Sequence, residues 1–280
     1  MFVALLLASA SAFAPSARPL APAARSRRAA RPRARPSMAA TIRAPAAAAA
    51  TDGASTARTT RLEHPAVFAF GGGDGADGAR SLAWLLGGKG ANLSEMARIG
   101  LSVPPGFTIT TEVCAAFHGA MGATLAPDVW ASVLAELGRL EAKMGAKLGD
   151  ARAPLLLSVR SGAAVSMPGM MDTVLNLGMT DAVAAGLAAK TGNARFAYDS
   201  YRRFLDLYGS VVAGVPHGAF EAELDALKLE RGAFDDAELG ADDLEALVAR
   251  YKGVYDAHGA TFPQDAREQL RQSVAAVFAS

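Results

Sequence analysis

Thiol chemistry is nearly absent from this chain of 280 residues: it has one cysteine, Cys114, so neither an internal disulfide nor a multi-cysteine metal centre is open to it. The setting of Cys114, Thr-Glu-Val-Cys-Ala-Ala-Phe, reads as a small buried hydrophobe rather than a reactive thiol. Acidic residues are missing from Met1 to Thr51, where eight arginines fall: Arg18, Arg25, Arg27, Arg28, Arg31, Arg33, Arg35 and Arg43. That leaves 20 of the 28 Lys and Arg against all 27 Asp and Glu, a net charge of −7 concealed by the whole-chain value of +1. An acidic body lacks the clustered cations that counterion release on nucleic acid requires. No nucleic-acid partner is expected, and any phosphate must be held locally. Histidine is scarce as well, and His64, His118, His217 and His258 stand in unrelated contexts that read as structural or solvated. With 51% hydrophobic and 20% charged residues, one or two globular domains are expected.

The N-terminal region reads as an address in two parts. Phe2 to Ala10 is an apolar run too short for a stable membrane span, and Ser-Ala-Phe-Ala-Pro follows it, as at the end of a secretory h-region. Residues 1–14 are therefore expected to be a signal peptide. The Ala-, Pro- and Arg-rich stretch after it has transit-peptide composition, and Pro15, Pro19, Pro22, Pro32 and Pro36 forbid a continuous helix. Together the two resemble the bipartite presequence of algae with plastids of secondary origin. That implies the plastid stroma, with no membrane attachment after processing; a mitochondrial or cytoplasmic location is the alternative.

Past a linker that ends near residue 60, Ala66–Phe70 reads as a strand stopped by Gly71-Gly72-Gly73, and Ala91–Ile99 as a helix ended by Gly100. Gly106–Thr111 and Leu155–Val159 are further strands, so the class is α/β or α+β. Beyond Gly178 the pattern turns helical, over Ala182–Lys190, Ala194–Tyr208 and Asp242–Tyr255. Gln264–Phe278 begins another amphipathic helix with no C-cap signal before the last residue, as though interrupted.

Three segments carry candidate chemistry. Leu86-Gly-Gly-Lys-Gly-Ala places Lys89 between glycines at the mouth of a helix, where unpaired N–H groups and a point charge suit an oxyanion. The P-loop spacing is not met, and a solvated lysine in a turn is the plain alternative. Leu156-Leu-Ser-Val-Arg-Ser-Gly162 ends an apolar strand in Arg160, whose fork can hold a phosphate through two parallel hydrogen bonds; an ordinary strand-end arginine reads equally well. Ser161 lacks the Gly-x-Ser-x-Gly setting of a nucleophile. In the third segment, Val165–Gly178, Met167, Met170 and Met171 suit a core, whereas Asp172 and Thr173 after a Pro-Gly turn suit a loop that closes on a ligand, with Thr173 donating to an oxyanion.

Joined, the strings GGKGANLSEM, GLSVPPGFTITTEVC, LLLSVRSGAAVSMPGMMDTVLNLGM and RFAYDSYRRFLDLYG resemble, in order and spacing, the opening of the pyruvate, phosphate dikinase family, from about Val67 to the last residue. The SMPGMMDTVLNLG string separates this family from phosphoenolpyruvate synthase. The resemblance implies an α+β fold: an incomplete ATP-grasp domain over 61–179, a helical subdomain over 180–262, and the start of a further portion over 263–280. It implies that Lys89 and Arg160 contact ATP phosphates, with Asp172 and Thr173 beside them. Ala164 stands where the family usually has arginine.

The reaction implied converts ATP, phosphate and pyruvate to AMP, pyrophosphate and phosphoenolpyruvate through a phosphohistidine, with Mg²⁺ bridging phosphates. The Thr-Ser-His loop, the acidic Mg²⁺ ligands and the pyruvate barrel are not in this sequence. No residue here is therefore expected to be catalytic or to ligate metal, and pyruvate, phosphate and a homodimer interface are expected to belong to other parts of the enzyme. Competing readings are a phosphoenolpyruvate synthase or glucan dikinase front end, or a stand-alone nucleotide-binding module.

Overall fold

The computed structural model describes residues 62–119, 124–162 and 173–280, together with the backbone of residues 3–8. Its main sheet has five strands in the order β2-β3-β1-β6-β7: β1 (Val3–Ala8), β2 (Val67–Phe70), β3 (Gly106–Ile109), β6 (Leu157–Gly162) and β7 (Val174–Leu177). All neighbours are antiparallel. A short parallel pair, β4 (Lys147–Leu148) and β5 (Pro154–Leu155), stands apart.

The class read from the sequence agrees at the level of mixed helix and sheet. Both strands expected at 66–70 and 106–111 form, and the apolar run from Leu155 divides into β5 and β6. The central strand, β1, falls in the apolar run expected to be a signal h-region.

The two faces of the sheet differ because side chains alternate along a strand. Phe107, Ile109, Leu157, Val159, Val174 and Leu177 are all fully buried in the principal core. Also in that core are residues of α2 (Thr111–Gly119), α3 (Pro127–Met144), α4 (Asp181–Thr191), α5 (Ala194–Tyr208), α6 (His217–Arg231), α7 (Ala241–Ala257) and α8 (Ala266–Ala279). On the opposite face Phe68 packs with Leu85, Leu86 and Ala91 of α1 (Ala83–Arg98).

Local chemistry explains the helix ends. The Thr180 hydroxyl accepts from the Val183 N–H at 3.2 Å, and Asn193 Oδ1 accepts from the Phe196 N–H at 2.9 Å, capping α4 and α5. Gly145, Gly192 and Gly232 end α3, α4 and α6 in left-handed geometry.

The helical part is cemented by aromatic rings and one buried cation. Phe262 lies 5.5–6.0 Å, centroid to centroid, from Tyr201, Phe204, Tyr208 and Tyr255. Arg202, only 6% exposed, is held by Asp199 at 2.9 Å and Asp236 at 2.7 Å. Much of the string RFAYDSYRRFLDLYG therefore builds the packing among these helices. α8 is joined to the end of β7 by the buried amide of Gln269, which accepts from Gly178 N–H and donates to the carbonyls of Met179 and Pro263.

Two helical glycines make a test of this packing. An added methyl at Gly186 would lie 1.9 Å from the Ala151 carbonyl oxygen, whereas at Gly138 it meets nothing. Gly138→Ala is expected to stabilise by about 0.5–1 kcal/mol. Gly186→Ala is expected to destabilise by about 1–3 kcal/mol despite the same gain in helix propensity. Urea unfolding of the two variants checks the opposite signs.

Candidate functional site

Gly87 breaks α1. Its φ of 66° and ψ of 166° are accessible in practice only to glycine, so the helix stops and restarts at Gly88. The first turn of the second helical segment thus falls at Gly88, Lys89 and Gly90, the positions whose N–H groups a helix start turns outward. The helix mouth expected at this lysine is present; the turn of helix that precedes the break has no counterpart among the expected elements.

Gly90 sets how close this segment comes to the sheet. A Cβ there would lie 2.8 Å from Thr108 Oγ1 and 3.1 Å from its Cγ2. From that position Lys89 reaches over β6 and donates to the Ser161 carbonyl at 3.0 Å. Ser161 follows Arg160 in the chain, so the two candidate cations are neighbours.

The sheet register puts them on one face. Arg160 stands opposite Leu5, Leu5 opposite Thr108, and Thr108 opposite Phe68, which packs beneath α1. Partners in an antiparallel ladder share a face. Arg160 is exposed while its neighbours Val159 and Ser161 are buried. Thr173 is half-buried and one residue ahead of Val174, the partner of Val159, so continuing that register sets Thr173 across from Arg160. Asp172, Ala164, Met167, Met170 and Met171 lie outside the described residues.

Other polar features lead away from these residues. A cleft of about 340 Å³ at β2 includes Gly71, Asp74, Arg139 and Lys143 in its lining, but Lys143 is already engaged by the Gly71 carbonyl at 2.7 Å and Asp74 at 2.6 Å. Among the described residues, a three-residue group that could hold a metal is Glu63, His64 and Glu112. It includes none of Lys89, Arg160 and Thr173.

The Glu112 carboxylate is satisfied without an ion: it accepts from the Glu63 and His64 N–H groups, both at 3.1 Å, and from the His64 ring at 2.7 Å. Burial pushes its pKa up, but those hydrogen bonds and the His64 charge together hold it below the ordinary range. A lowered carboxylate pKa contributes stability that is present above its unfolded value and lost as pH falls through the folded one. Glu112→Gln is therefore expected to lower the melting temperature at pH 7 and to converge on the parent chain in acid below the ordinary carboxylate range.

The remaining histidines have local roles where their contacts are described. His217 bonds Asp206 at 2.7 Å, and the His258 ring bonds the Val254 carbonyl at 2.8 Å. Among the described residues, no helix is long and apolar enough to cross a membrane.

Residues 83–126, which hold Lys89, match the family described as the pyruvate phosphate dikinase AMP/ATP-binding domain. The chain is 60% identical over 215 residues to pyruvate, phosphate dikinase 2 of Zea mays, covering 76% of this chain and 24% of that one. The chain is homologous to the nucleotide-binding region of pyruvate, phosphate dikinases. Two chloroplastic relatives, pyruvate, phosphate dikinase 1 of Oryza sativa subsp. japonica and of Arabidopsis thaliana, are 58% and 55% identical over 76% of this chain and 22% of their own. The chain thus spans about a quarter of the length of the curated relatives it matches.

Residue type and spacing pick out Lys89 and Arg160, but they miss Gly90, whose lack of a side chain brings α1 down on Thr108. The small residue following a candidate cation at a helix mouth was the available signal. Gly90→Ala is expected to cost about 1–3 kcal/mol by overpacking and to lengthen the Lys89–Ser161 contact, as a melting curve and a crystal structure of the variant would record.

Proposed function

We propose that this chain is the ATP-clamping part of an enzyme that converts ATP, phosphate and pyruvate to AMP, pyrophosphate and phosphoenolpyruvate. The observation that carries the reading is the convergence of Lys89, at a helix mouth, with Arg160 on one face of the sheet. A polyphosphate laid there meets a point charge, a planar fork and unpaired N–H groups, three complementary ways to hold anionic oxygens. Thr173 adds a hydroxyl donor across from Arg160, and Asp172 precedes it in the sequence.

The fold reading that goes with this is an ATP-grasp domain with a helical subdomain. Phosphoryl transfer needs positioning and charge neutralisation more than proton transfer, and two permanent cations fit that demand. Mg²⁺ supplies charge neutralisation between phosphates when bound, and its ligands are assigned to parts of the enzyme other than the described residues. Pyruvate, phosphate, the phosphohistidine and a homodimer interface are likewise assigned elsewhere. A plastid location is supported by the arginine-rich, acid-free N-terminal segment and by the chloroplastic names of relatives.

Isothermal titration of the 280-residue chain with ATP tests the clamp. Lys89→Ala and Arg160→Ala are each expected to weaken binding by about 1.5–3 kcal/mol, the contribution of a hydrogen bond to a charged group, which is roughly 10- to 150-fold in affinity. Arg160→Lys is expected to recover only part of the loss, because a lysine cannot bond two oxygens in a plane. Unchanged affinity in both alanine variants sinks the reading. Pyruvate-dependent AMP formation by the purified chain is expected to be absent, and clear turnover would overturn the assignment of the phosphohistidine elsewhere.

A further inference from the structure

The middle of the sheet is filled from the far N-terminus. β1 is paired along four positions with β3, from Ala4 opposite Ile109 to Leu7 opposite Gly106, and along six with β6, from Val3 opposite Gly162 to Ala8 opposite Leu157. β3 and β6 do not pair with each other. Without β1 the sheet is two separate pieces, β2-β3 and β6-β7, each with a bare edge of N–H and C=O groups in a region whose flanking Phe107, Ile109, Leu157 and Val159 are fully buried. An unpaired backbone group in such a place costs about as much as a lost hydrogen bond, many times over along two edges.

The slot has a roof and a floor, since β1 has α1 on one side and α8 on the other. A strand enclosed on both faces wants an unbroken apolar run rather than alternation. Val-Ala-Leu-Leu-Leu-Ala is such a run. The same segment is the one whose composition reads as a removable leader.

The slot is also tied to the cations. Leu5 stands between Arg160 and Thr108, and Ala4 stands opposite Ser161, whose carbonyl receives Lys89. On its other side, among the described residues, β6 pairs with β7 across an irregularity between Leu157 and Val159.

We propose that Val3–Ala8 is a detachable strand: the slot between β3 and β6 accepts an apolar strand of six residues antiparallel to both neighbours, and Lys89 and Arg160 are brought together only while it is filled. Removal of the N-terminal segment opens the slot, and the cation pair reforms when a strand of the same chemistry enters it. The statement about the cations rests on the nucleotide reading above; the statement about the strand does not.

The test uses the 280-residue chain with a site-specific protease sequence inserted in the alanine run Ala46–Ala50. After cleavage the N-terminal fragment is expected to co-elute with the body on gel filtration and the melting temperature to hold. Release of the fragment in mild urea is expected to lower the melting temperature of the body by several degrees and its ATP affinity at least tenfold. A synthetic peptide of Met1–Ser11 restores both, and the same peptide with Leu5, Leu6 and Leu7 replaced by aspartate restores neither.

A body that loses the fragment and keeps its melting temperature, or that the leucine peptide cannot restore, overturns the proposal. If the melting temperature follows the peptide but ATP binds in neither state, the nucleotide reading fails and the strand slot stands. Independently, Leu6→Cys with Val159→Cys joins two Cα partners of the ladder. Oxidation is expected to lock the fragment to the cleaved body through urea, and failure to form that disulfide contradicts the slot.

Discussion

The missing side chain at Gly90 lets the second segment of α1 lie with its backbone against Thr108, and the geometry on that side of the sheet follows from this approach. A methyl group there would have to push Thr108 or the helix aside. With the helix held off the sheet, Lys89 would lose its reach to the Ser161 carbonyl, and the link between helix mouth and Arg160 strand would go with it. Close packing at one glycine thus converts two ordinary exposed cations into a pair.

On the other face the constraint is enclosure rather than approach. Gln269 satisfies three backbone groups around the end of β7, so α8 can bury Leu270, Val274, Val277 and Phe278 without leaving polar atoms bare. Arg202 does the same work for α5 against the turn that carries Asp236, with two carboxylates to offset the burial of its charge. The helices from α4 to α8 are ordered by these satisfied polar groups as much as by their aromatic rings.

Much of this can be read in the sequence because local signals are strong there. Lys89 between glycines announces a helix mouth, the helical stretches Ala182–Lys190 and Ala194–Tyr208 form as α4 and α5, and the apolar period of Asp242–Tyr255 marks a buried stripe. α3 has such signals too, with proline at its start and Gly145 after its end, yet it forms no part of the sequence reading. The convergence of Lys89 with Arg160 is a different matter, since it depends on a register carried through strands remote in sequence. β1 is the hardest case. A leader h-region and a strand covered on both faces make the same demand, a short unbroken apolar run, so composition alone has no means of separating them. The reading of residues 1–14 as an address and the place of Val3–Ala8 in the sheet both turn on the same short apolar run.

That central strand also dictates an order of events during synthesis. Val3 pairs with Gly162, so the sheet cannot close until the chain has grown past β6. At about 5–20 residues per second, the apolar segment waits unpaired for roughly 8–30 s after it is made. Its pairing partners are among the most distant contacts in the molecule, and such contacts form late because loop closure comes first. Through that interval any receptor for apolar N-terminal segments meets it with no competition from the fold. Capture of the segment and its folding are thus separated by time before they are separated by energy, and the pace of elongation decides how long the strand stays open to a partner.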